Sequence, residues 1–297
     1  MKIPSQKNKM VKLGTGLALG AMLGVASEAA AFTRTVGCNV DGDVCSELFW
    51  PTNCATYLLD GTSTQAIAQG ITVAEIEAEI DGSFAAWDNN TATCTYLTLT
   101  DGGVVNGLEV GFDNDGEEDN VIAFVTDGWL DLGSGHDAAA IALTSVFFDP
   151  ATGVIVNADM EFNAEFFRPM IVGQTLPDPL DLRTEADLRN TITHEAGHFL
   201  GLDHTNISDA TMFAVANTGE INKRDLAQDD LDGVCAIYPV ADDPGKCEPA
   251  GFLPRNRVFD CAIEQGATPQ EDRSLLLVAA LFGLSLVVVS SRRKKRG

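Results

Sequence analysis

His194-Glu195-Ala196-Gly197-His198-Phe199-Leu200-Gly201-Leu202-Asp203-His204 is the stretch on which the reading of this 297-residue chain turns. On a helix, residues four apart leave the same face, so His194 and His198 offer two imidazoles to one metal ion. Glu195 flanks that face, where it reads as a general base acting on water rather than as a ligand. Gly201 tolerates the positive φ that ends a helix sharply, which lets the chain return with His204 as third ligand. Three protein ligands leave one coordination position open, and that is the pattern of catalytic zinc, since structural sites close all four. His194, His198 and His204 are three of the four histidines in the chain, a concentration that a plain solvated helix does not need.

Working outward, Met212 in Ala210-Thr211-Met212-Phe213 lies eight residues after His204, and the charged stretch Lys223 to Val234 follows downstream. Met212 alone would read as core filler. The HExxHxxGxxH string with a methionine turn behind it is the metzincin signature, and within that group the Gly201-Leu202-Asp203-His204 ending and the short spacing to Met212 resemble the matrixins. The resemblance implies zinc on His194, His198 and His204, Glu195 as catalytic base, Met212 as a floor under the metal, and a protein or peptide substrate. It also implies an α+β metzincin catalytic domain: a twisted, mostly parallel five-stranded sheet with one antiparallel edge strand, backing helices, a zinc helix and a Met-turn. Two departures stand out. Only His136 remains to serve a second, histidine-rich structural zinc, so that site is expected to be absent. Ala214 and Val215 also stand where many matrixins carry a proline after the Met-turn, so substrate preference does not carry over. Rival readings are a surface adhesin that kept the fold without turnover, and an astacin-like or other metzincin endopeptidase.

Periodicity supplies the organisation. Thr56–Leu59 reads as a strand, and Ile71, Ile76, Ile80, Phe84 and Trp87 have helical spacing within Ile67–Trp87. Thr95–Leu99, Asn120–Val125, Ile141–Phe148 and Val154–Phe162 read as further strands, the last two joined by the Asp149–Gly153 turn. The zinc helix is expected to begin near Thr184, capped by that hydroxyl, with Asp187 in its first turn. An exposed edge strand, Ile141–Phe147, is expected to align substrate by strand addition.

Both ends read as targeting devices. Residues 1–31 carry Lys2, Lys7, Lys9 and Lys12 before an apolar run and Ala29-Ala30-Ala31, the layout of a secretory signal peptide. Residues 32–53 form a cysteine-bearing segment, 54–238 the catalytic domain, and 239–273 a linker or stalk. Residues 274–291 form a hydrophobic anchor or sorting helix, and 292–297 a basic tail that keeps to the cytoplasmic side. The expected location is therefore the cell surface or the extracellular space, with the membrane, or a sorting enzyme that removes the segment, as partner. This end resembles the C-terminal sorting tags of bacterial surface proteins, although their short motif is not evident in Thr268–Asp272.

The whole chain carries −24, and the body between leader and basic tail keeps 10 basic residues against 42 acidic ones. Such an acidic surface excludes nucleic acid as partner. Asp113, Asp115, Glu117 and Asp119 surround Gly116 in a run that reads either as a calcium loop or as a solvated turn.

Seven cysteines in an exported chain imply disulfides with one thiol left over: free, bridging to another chain, or blocking the zinc. Pairing of Cys54 with Cys94 is plausible, and Val36-Gly37-Cys38-Asn39 is a faint echo of the propeptide switch of matrixins, with a structural disulfide as the default for Cys38.

Overall fold

A computed structural model describes residues 32–68, 70–112, 119–173, 181 and 183–247, together with the backbone of 256–265. Residues 1–31, read as a leader, residues 113–118, and 274–291, read as an anchor or sorting helix, lie outside the described residues. Among the described ones, no helix is long and apolar enough to cross a membrane.

The chain enters through β1 (Thr33–Arg34) and a hairpin of β2 (Val36–Cys38) and β3 (Cys45–Glu47), closed by the Cys38–Cys45 disulfide. With Cys38 bonded seven residues away, the pair acts as a hairpin staple. Replacing both cysteines by serine is expected to cost about 2 kcal/mol of unfolding free energy without raising activity, read by guanidinium titration beside a cleavage assay.

In β4 (Cys54–Asp60), Ala55, Tyr57 and Leu59 point inward at period two. Asp60 then caps α1 (Gly61–Ile67) by accepting from the amides of Thr62 and Ser63. The single helix expected over Ile67–Trp87 is instead two. Gly70 takes φ +84°, and Thr72 with Glu75 forms a capping box that restarts the chain as α2 (Val73–Thr91). Ile76, Ile80, Phe84 and Trp87 form its buried stripe.

The remaining elements are β5 (Thr98–Val105), β6 (Val121–Val125), β7 (Ala140–Phe148), β8 (Ile155–Asn163), β9 (Phe167–Met170), β10 (Thr184–Asp187), α3 (Leu188–Phe199), β11 (Leu202–Asp203), β12 (Val215–Ala216), α4 (Gln228–Ile237) and β13 (Asn256–Gln265). Strand β5 starts three residues later than expected, because Thr95 is bridged to Pro239 and its hydroxyl accepts from the amide of Leu97.

Strands β5, β4, β6 and β8 run parallel, and β7 lies antiparallel on β8. These five form the expected mostly parallel sheet with an antiparallel edge. The edge is not open, however. Strand β13, within the segment read as a stalk, pairs antiparallel with the outer side of β7, and β12 pairs parallel with β13, making seven strands.

Helices α2 and α3 pack together beneath the sheet, where Phe84 stacks on Tyr57 and meets Phe199 edge-on. The indole nitrogen of Trp87 donates to the carbonyl of Thr193 at 2.9 Å, which joins the two helices with a buried hydrogen bond. Full burial of each such aromatic side chain contributes about 1.5–3 kcal/mol, so this cluster holds α3 rigidly under the sheet.

The start of α3 differs from expectation. Thr184–Asp187 is strand β10, paired parallel with β9, and the helix opens at Leu188. Asp187 is its cap, accepting from the amide of Asn190 at 2.8 Å and from Nε of Arg224 at 2.7 Å. The cysteines also pair differently: Cys54 with Cys247 and Cys94 with Cys235. Cys94 lies just past the end of α2, which packs on α4, whereas Cys54 opens a strand beside Lys246, whose carbonyl accepts from the amide of Asn53.

One buried carboxyl is titratable in a useful range. Asp159 in β8 accepts from the amides of Gly111 and Val121, yet burial pushes it up to about 7. The folded state therefore binds a proton that the unfolded chain has released, and stability falls as pH rises from about 4 to about 7. Asp159→Asn should flatten that part of the stability-against-pH curve, and an unchanged slope would show that the carboxyl does not carry it.

Candidate active site

His194 and His198 project from one face of α3 with ring centroids 4.9 Å apart. Gly201 ends the helix at φ +88°, and a Cβ there would stand 2.7 Å from the carbonyl oxygen of Leu48, so glycine is required on both counts. Strand β11 then pairs with β1 and brings His204 back, its Nε2 lying 3.2 Å from Nε2 of both His194 and His198.

Three nitrogens on a tetrahedral zinc at about 2.0–2.1 Å stand about 3.3 Å apart, so the spacing fits that ion. Their ligand atoms lie within 4.8 Å of one another, and the triad is a group able to hold a metal among the described residues. The tautomers fit as well. Nδ1 of His194 donates to the carbonyl of Thr211 at 2.6 Å and Nδ1 of His198 to that of Leu202 at 2.8 Å. Carbonyls only accept, so the proton sits on Nδ1 and each Nε2 lone pair is left for the common point. Burial, with the neighbouring imidazoles adding, holds His194 and His198 well below the usual histidine range, and burial lowers His204 too.

Glu195 is fully buried, and its Oε2 accepts from the hydroxyl of Thr144 at 2.6 Å. Strand β7 thus reaches the helix at the carboxylate. Met212 packs below: a Cβ on Gly197 would come within 2.1 Å of its sulfur, so the missing side chain at 197 is what admits the turn beneath α3. Asp230 of α4 holds the turn, accepting from the amides of Thr211 at 2.8 Å, Met212 at 3.0 Å and Ala227 at 2.8 Å. Lys223, also buried, donates to the carbonyl of Phe213 at 2.8 Å.

Sequence reasoning missed Thr144, Asp230 and Lys223. The visible signals were a Thr-Ser pair inside an apolar strand and charged residues that turn out to be buried. At the N-terminal end of α3, Ile141, Thr184, Asp187, Thr191 and Ala216 help to line a pocket between β7, β10, α3 and the segment after the Met-turn.

Two other candidate residues, Asp119 and His136, have partners elsewhere in the fold. Asp113, Asp115 and Glu117 lie outside the described residues, and the carbonyl of Asp119 accepts from Nδ2 of Asn157 at 2.7 Å. His136 is buried with Nε2 3.1 Å from a carboxylate oxygen of Glu161.

A mostly parallel α+β sheet over a helix bearing this histidine constellation is the architecture of a metzincin. Residues 49–239 match the Matrixin peptidase family, and the chain belongs to it. It is 24% identical over 164 residues to Metalloendoproteinase 2-MMP of Arabidopsis thaliana, covering 55% of this chain and 37% of that protein. It is 41% identical over 59 residues to Metalloendoproteinase 5-MMP of the same plant, covering 20% and 16%. The chain thus spans well under half the length of these relatives. Membership of the matrixins, a zinc family, replaces the reading of a different metzincin.

Proposed function

We propose that this protein is a zinc-dependent endopeptidase that hydrolyses peptide bonds in proteins outside the cytoplasm, with His194, His198 and His204 as ligands and Glu195 as general base. The observation that carries the reading is the triad with its Nε2 atoms converging on one point, two of its histidines on the buried helix that also carries Glu195. When bound, the metal supplies Lewis acidity, polarising the scissile carbonyl and lowering the pKa of water.

The chain's own residues do the rest. Glu195 takes a proton from the attacking water and delivers it to the leaving amine. The Thr144 hydroxyl positions that carboxylate, and Met212 sets the floor on which the histidines rest. Strand β7 on one side and β12 on the other would grip an extended substrate once β13, which pairs with both, is displaced, and the pocket beside Thr191 and Ala216 would receive a side chain.

Three disulfides suit an oxidising compartment, in keeping with the leader-like residues 1–31. Retention at the surface through residues 274–291, and calcium at the 113–119 run, are further parts of this reading. They are tested by membrane fractionation of intact cells and by the melting temperature after calcium-selective chelation. The central test is cleavage of casein and a mixed peptide library by zinc-loaded protein, before and after stripping with a zinc chelator and re-addition of zinc. Cleavage that follows the zinc is expected; cleavage indifferent to chelation would sink the reading.

A further inference from the structure

We infer that Asn256–Gln265 is the built-in occupant of the substrate cleft, an inhibitory strand that an incoming polypeptide must displace. This rests on the peptidase reading above. The observation behind it is placement. Strand β13 runs antiparallel along β7 from Asn256 opposite Phe148 to Glu264 opposite Ala140. On its other side, Glu264 and Gln265 pair parallel with Val215 and Ala216, immediately after the Met-turn. The two walls that would grip a substrate backbone are thus bridged by the chain itself, and α3 lies directly against the bridging strand.

The register locates the crossing. Cys261 is opposite Thr144, the residue whose hydroxyl meets Glu195, so the β13 backbone passes at the level of the candidate catalytic carboxylate. A peptide can join a sheet only where an edge has unpaired amides and carbonyls, and β13 already occupies the outer side of β7.

The arrangement is releasable. The longest uninterrupted run of the ladder is Asp260 to Ile263, with register shifts between Arg257 and Asp260 and between Ile263 and Glu264. The strand is also close to its tether: Cys247 is bonded to Cys54, and eight residues separate it from Asn256. A short tether of that kind gives an effective concentration on the order of millimolar, enough to outcompete dilute substrates but not a segment presented at high local concentration. The class of ligand is therefore an extended polypeptide, and residues 256–265 are its intramolecular stand-in.

The test uses the mature full chain, zinc-loaded, beside Ala262→Pro, which removes one amide and breaks the short ladder. The probe is a fluorescein-labelled synthetic peptide of residues 256–265, made with serine for Cys261 so that binding reports strand pairing rather than thiol chemistry. We expect the probe to bind the variant about 10-fold or more tightly than wild type, because the competent state is no longer masked. Casein cleavage should rise by a similar factor and be inhibited by unlabelled peptide.

Equal probe binding to both proteins would overturn the inference, as would casein cleavage by the wild type at a rate that the variant merely equals. A cut within 256–265 made by the wild-type chain on itself would also overturn it, since the strand would then be a substrate. Selective probe binding by the variant, with casein intact in both, would leave the occupancy standing and remove the peptidase reading. Amide hydrogen exchange of residues 260–263 in wild type needs no variant: slow exchange supports the strand, and exchange at the rate of an unstructured chain overturns it.

Discussion

Glu195→Gln is expected to keep its zinc and to lose about 1,000-fold in kcat/KM toward a peptide substrate, the middle of the range for a general base. That factor corresponds to about 4 kcal/mol of transition-state stabilisation. The substitution preserves shape, and the amide oxygen can still accept from Thr144, so the fold around α3 has no reason to change. What disappears is the capacity to take a proton. The loss should fall on kcat with KM little altered, because a base acts on the attacking water and not on the bound backbone. Zinc content measured on the same samples decides between roles: a ligand at 195 would cost metal, and a base would not. A Glu195→Gln protein that cleaves like wild type would remove Glu195 from the mechanism.

The range of each interaction along the chain decides whether the sequence reveals it. The His194–Glu195–His198 face follows from helical pitch alone, and Gly201 follows from the conformational demand of a sharp turn, so the triad is legible residue by residue. The five-stranded sheet is legible because alternation and turn residues are local.

What the sequence hides involves partners far away along the chain. Thr184 and Asp187 are equally good caps by chemistry, and pairing with β9 and the contact with Arg224 choose between them. Thr144 matters because of a contact 51 residues away, and Asp230 because of amides 18 and 19 residues before it. The disulfides depend on where α4 and Lys246 come to lie. Strand β13 is hidden because its proline- and charge-rich surroundings resemble a stalk, and a strand added at an edge is defined by its neighbour more than by its own pattern.

His198→Ala should leave the protein without stoichiometric zinc after dialysis. A zinc site worth roughly 10–16 kcal/mol shared over four ligands assigns about 2.5–4 kcal/mol to each, so affinity should fall about 100- to 1,000-fold. His198 is a severe position to lose, being 1% exposed with its Nε2 3.2 Å from that of His204. Its Nδ1 also serves the carbonyl of Leu202, which fixes the return of the chain toward His204, so removal loosens a second ligand as well. Melting curves with zinc and with a chelator separate these effects. In zinc, the variant should lose about 3–4 kcal/mol of ligand-linked stabilisation, because binding to the folded state alone contributes RT ln(1 + [L]/Kd). In chelator, the two proteins should differ only by the packing cost of the deleted ring. A variant that keeps equimolar zinc and the same chelator-sensitive melting shift would show that the metal sits elsewhere.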